Sequence, residues 1–120
     1  MAKICTDISQ SKKLAEILPL ESADNVIVSF GSRDGVKTVV MPKETFNVFR
    51  TPFADIRETT ICWSLAALLG ALPNCIVMNK DSQNGKYHFS STHIGTYVTT
   101  DNPIDACYEM ILKLHELNLL

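Results

Sequence analysis

The sequence predicts an α+β fold: three helices packed on a mainly antiparallel sheet built from hairpins, in the order α-ββ-(β)-α-ββ(β)-α. Three observations carry this. Leu65, Leu68, Leu69 and Leu72 recur at helical spacing. Two runs rich in β-branched residues, Val26 to Phe30 and Val36 to Met41, flank the turn dipeptide Asp34-Gly35. A second turn dipeptide, Asn84-Gly85, separates the apolar run Cys75 to Met78 from the alternating run Lys86 to Ser90.

The elements follow in chain order. Thr6-Asp7 is placed to cap a first helix, with Gln10 three residues on from Asp7 as in a capping box. Leu14, Ile17 and Leu18 then give one apolar stripe, and Pro19 stops the helix. The first hairpin spans the runs around residues 31 to 35, and Pro42 ends its second strand. Thr45 to Phe49 has a weak alternation that reads as a third strand before Pro52. The second helix is expected over Cys62 to Leu72, with Thr60 as its cap and Pro73 closing it. After the second hairpin, Thr96 to Thr100 reads as a further strand beyond a bend at Gly95. The last helix starts at Asn102 as N-cap with Pro103 at its first position, and Asp105 suits the positive end of the helix dipole. Ile104, Cys107, Tyr108, Ile111, Leu112 and Leu114 form its apolar face.

At 120 residues the chain suits one domain over 1–120 and buries enough surface to fold without a disulfide or metal. Net charge is −2 and the basic residues are scattered, so nucleic acid is not a favoured partner. The longest nearly apolar run, Ile61 to Leu72, is too short to span a bilayer, and no membrane partner is expected. No export signal is legible from Met1 to Asp7, so a cytoplasmic location is expected. The cysteines, Cys5, Cys62, Cys75 and Cys107, show no paired spacing and are expected to be reduced.

Three segments together resemble a family of short uncharacterised proteins found widely in gut anaerobic bacteria: Cys5-Thr6-Asp7 through Glu21-Ser22-Ala23-Asp24, then Cys62 to Leu69, then Asp105 to Leu117. Residues 25–61 and 74–100 lie outside the likeness. The resemblance implies that the three helices fold as one unit. It carries over no activity, cofactor or site residue.

Cys62 is the sharpest chemical candidate. At a helix N-terminus a thiol pKa is lowered, and His88 or His93 can supply a base. The competing reading is a structural thiol packed beside Trp63, and no nucleophile signature surrounds Cys62. His88, His93 and Cys75 are the residue types that zinc accepts, yet their spacing matches no known zinc motif, so no metal and no cofactor are expected. Gly31 to Gly35 lacks the Lys-Ser/Thr of a phosphate loop and precedes a strand. Asp101 and Asp105 are spaced for capping rather than for acid/base work.

Phe46, Phe49 and Phe53 cluster in a segment of weak periodicity. Exposed, they make an apolar patch of the kind that marks interfaces; buried, they close an edge of the core. Leu117, Leu119 and Leu120 raise the same question at the other end. Two functions follow: a non-enzymatic interaction or accessory module that self-associates or binds a protein partner, and, as the alternative, a small thiol-dependent enzyme using Cys62 with a histidine.

Overall fold

In the computed structural model, which describes residues 3–33, 35–48, 55–73, 76–81, 83–91 and 97–120, α1 (Ile8–Leu14) opens the chain. Asp7 caps it as the spacing predicts: its carboxylate accepts the Gln10 N–H, and the Gln10 side chain accepts the Asp7 N–H, at 2.8 and 3.1 Å. The regular helix ends at Leu14, and tighter turns carry the chain on to buried Leu18.

The first hairpin pairs β1 (Asn25–Ser32) with β2 (Gly35–Pro42), running from Asn25 against Pro42 to Ser32 against Gly35. The strands reach further into the connection than the expected five-residue loop. Gly35 has φ +116°, a conformation that L side chains rarely adopt.

Two expectations between residues 43 and 72 are corrected. Lys43–Val48 is a short helix, α2, where a strand was expected. The segment is exposed after Pro42, and no strand lies beside it to complete a ladder. Ile56–Cys62 is a strand, β3, antiparallel to β1. Thr59, Thr60 and Ile61 are β-branched and pair with Val28, Ile27 and Val26. The helix therefore begins later: Ser64, not Thr60, is its cap, and α3 runs Leu65–Ala71. Of the leucine stripe, Leu68 and Leu72 are buried while Leu69 faces solvent.

The second sheet is β4 (Ile76–Lys80), β5 (Tyr87–Ser91) and β6 (Tyr97–Thr100), antiparallel throughout, in the order β4-β5-β6. The first has the order β2-β1-β3, so the strands form two sheets rather than one. Helix α4 (Pro103–Glu116) lies against β5 and β6 and touches α3. Asn102 caps it with Pro103 in the first turn, as expected.

One cluster unites Leu14 and Leu18 with Trp63, with Leu68 and Leu72 of α3, and with the inner face of α4, so the three long-range helices share a core. Ala106 and Met110 extend that inner face beyond the residues read from the sequence, and Leu112 is only half-buried. Trp63 lies between β3 and α3, fully buried, and its indole N–H donates to the Ser22 hydroxyl at 3.0 Å.

Candidate functional site

The site is built by a short extended segment before α1. Cys5 bridges antiparallel to Ser64. The Thr6 N–H donates to the Trp63 carbonyl at 3.0 Å, and the Trp63 N–H donates to the Thr6 hydroxyl at 3.1 Å. That hydroxyl also pairs with Ser11 Oγ at 2.7 Å, so both buried hydroxyl side chains are satisfied. At its start the segment is held by Lys3, whose ammonium donates to Asp105 at the head of α4 and to Gln10, both at 2.8 Å.

This docking brings Cys5 onto Cys62. On an antiparallel ladder, side chains of alternate residues share a face. Opposite Ser64, Cys5 is therefore the diagonal neighbour of Cys62. The two thiols pack with Ile27, Ile8 and Val40 in a small apolar cluster separate from the main core. Both are free thiols.

Their electrostatics differ. The Cys62 thiol donates a hydrogen bond toward Cys5, which holds the Cys5 thiol below its ordinary value despite burial. The same partnership, together with burial, pushes Cys62 far up. Their access differs as well. Cys62 is sealed, whereas Cys5 lies at the wall of a groove of about 560 Å³ between the 3–9 segment and the outer face of β1 and β2. Ile4, Ile8, Ile27 and Val40 make most of that wall, with Lys3 at its rim. In the protonated state the Cys5 thiol donates to the Thr6 carbonyl at 3.3 Å.

Cys62 therefore does not sit at a helix N-terminus. It is the last residue of β3, and the dipole argument for an activated thiol there does not apply. His88 is on β5 in the other sheet, its Nε2 3.8 Å from an Asp81 carboxylate oxygen. His93, Cys75, Phe49 and Phe53 lie outside the described residues. Phe46 is half-buried on α2. Leu119 and Leu120 are exposed beyond α4. Among the described residues no group of three or more His, Cys, Asp or Glu side chains is placed to hold a metal ion, and no helix is long and apolar enough to cross a membrane.

No family model, curated protein or solved structure matches the chain.

Cys5 is the residue that sequence reasoning missed. Nothing in the spacing of Cys5 and Cys62 signals a pair, because the bridge that joins them is tertiary. The only local sign is the position of Cys5 just ahead of the Asp7 cap, in a segment too polar to be a core strand.

A second cleft lies on the other side of the sheet junction, lined by Asp24, Asn25, Lys43 and Glu44 among others. Asp24 there is already engaged. It accepts from the Ser64 N–H at 2.9 Å and from the Ser64 hydroxyl. Burial acts against its charge, but these hydrogen bonds win and hold its carboxyl below the usual carboxylate range.

Proposed function

We propose that the chain is a small non-enzymatic interaction module that associates with a second copy of itself through the end of α4. The observation that carries this reading is the ordered exposure of Leu117, Leu119 and Leu120, which are 51%, 49% and 42% accessible. These leucines do not fray from the helix. Asn118 adopts φ 57°, its N–H donates to the His115 carbonyl at 3.1 Å, and the Leu119 N–H donates to the Leu114 carbonyl at 2.9 Å. This is a left-handed helix cap, and it fixes where the leucines point. Apolar side chains held in place toward solvent favour a partner with an apolar face of its own.

The magnitudes make the association weak. Covering the exposed halves of three leucines contributes roughly 3 kcal/mol per copy, while association itself costs about 4–15 kcal/mol. Edge pairing along β2 adds little, because Lys37 and Pro42 discourage another strand there. A radius of gyration of 16.0 Å exceeds the roughly 14 Å of a compact chain of this length, which leaves further surface for contact. A cytoplasmic setting fits the reduced Cys5, Cys62 and Cys107. The scattered cations favour neither nucleic acid nor a membrane as partner.

The alternative, a thiol enzyme working through Cys62 and a histidine, has less support. Cys62 has no access to solvent, and His88 is held beside Asp81 in the other sheet. Sedimentation across a wide concentration range tests the main reading. The expected result is a concentration-dependent dimer that Leu119→Asp dissociates. A strictly monomeric wild-type protein at high concentration overturns it.

A further inference from the structure

We propose that Cys5 and Cys62 form an oxidisable dithiol, in which Cys5 meets an apolar organic hydroperoxide in the groove between the 3–9 segment and the β1–β2 face, and Cys62 then closes a disulfide with it. Three observations converge on the pair. The two sulfurs are diagonal neighbours across the Cys5–Ser64 bridge and share one apolar cluster. One of them, Cys5, forms part of a groove wall, while the other is sealed directly behind it. That is the arrangement required of an attacking thiol and a resolving thiol. The groove wall is made mostly of isoleucine and valine, which suits an alkyl or aryl tail better than a small hydrated oxidant. The hydrogen bond from Cys62 also favours the thiolate of Cys5, the form that attacks.

The chemistry balances in two steps. Cys5 loses its proton, and its sulfur attacks the terminal oxygen of the hydroperoxide. An S–O bond forms, the O–O bond breaks, and the organic oxygen leaves as an alcohol after taking up a proton. Cys5 is then a sulfenic acid. The Cys62 sulfur attacks the Cys5 sulfur, the S–O bond breaks, and the hydroxyl departs as water with the Cys62 proton. Each sulfur has given up one electron, and the pair together has reduced one peroxide bond. Diagonal ladder neighbours stand roughly 7–8 Å apart, against roughly 4.4–6.8 Å for the Cα atoms of a disulfide. Closure thus draws the 3–7 segment inward by about 1 Å, against a single backbone bridge rather than a full ladder.

The test uses the full chain, reduced and then exposed to cumene hydroperoxide or to hydrogen peroxide, with intact mass and peptide mapping as readouts. The expected result is loss of two hydrogens from the wild type and a linked Cys5–Cys62 peptide pair. Cumene hydroperoxide should act about tenfold faster than on an unstructured cysteine peptide, and hydrogen peroxide should show a smaller advantage. In Cys62→Ser the product stops at oxygen added to Cys5; in Cys5→Ser no disulfide forms. Dithiothreitol restores the starting mass of the wild type. Circular dichroism establishes that both serine variants fold. A wild type in which Cys5 and Cys62 stay unlinked under either peroxide overturns the proposal. So does an oxidation rate no faster than that of the peptide. Equal acceleration by both peroxides overturns the assignment of the groove to an apolar substrate. None of these outcomes depends on self-association through α4.

Discussion

Asp24 takes both the backbone N–H and the hydroxyl of Ser64, and the same hydroxyl accepts the Ala67 N–H to cap α3. One carboxylate thus ties the loop before β1 to the junction between β3 and α3. Asp24→Ala is expected to destabilise the fold by about 1–2 kcal/mol, and Ser64→Ala by about 1 kcal/mol for the lost cap. The double variant should cost less than the sum, because both substitutions remove the same contact. Urea unfolding of the three variants measures this, and full additivity would mean that the pair is not coupled.

Acid should weaken the protein through two carboxylates. Asp24 and Asp105 are both held below the ordinary range. For Asp105 partial burial opposes the charge, but hydrogen bonds from Lys3, Gln10 and Asn102 outweigh it. A carboxyl whose folded pKa is lowered gives stability that is complete above its unfolded pKa. That stability is lost as pH falls through the folded value. The expected profile is flat near neutrality, with a decline that sets in below about pH 4. Asp105→Asn should flatten that decline when melting temperature is followed against pH.

Within the main core, Ile111 is fully buried on α4, and Ile111→Ala is expected to cost about 2–5 kcal/mol in urea unfolding. Cys107 beside it is buried as well, and burial pushes its thiol up to about 12. It should resist alkylation at neutral pH in the folded protein and react freely in denaturant. Counting labelled cysteines by mass in the two conditions checks this.

Local signals were the most legible part of the fold. Asp7 with Gln10, and Asn102 with Pro103 and Asp105, are readable because a cap is decided within a few residues. The Asp34-Gly35 hairpin is readable for the same reason. The β3–α3 boundary was not. Thr59 to Cys62 runs without a break into the leucine pattern, and only pairing with distant β1 makes it a strand. α2 escaped because a six-residue helix has too few turns to display a period. At the site, Cys62 was singled out for a helix-end setting it does not have. Cys5 was passed over because its partner is brought to it by the fold.

Lys3 reaches Asp105 across 102 residues of sequence, and this sets an order on synthesis. The chain emerges from the ribosome N-terminus first, so the 3–7 segment is made early but its anchor at the head of α4 is among the last parts to appear. Until α4 docks, the segment lacks its clamp and Cys5 has no fixed seat beside Cys62. The nascent chain therefore passes through a period in which Cys5 is an ordinary accessible thiol, and the cell's reductants must keep it so until the final helix arrives.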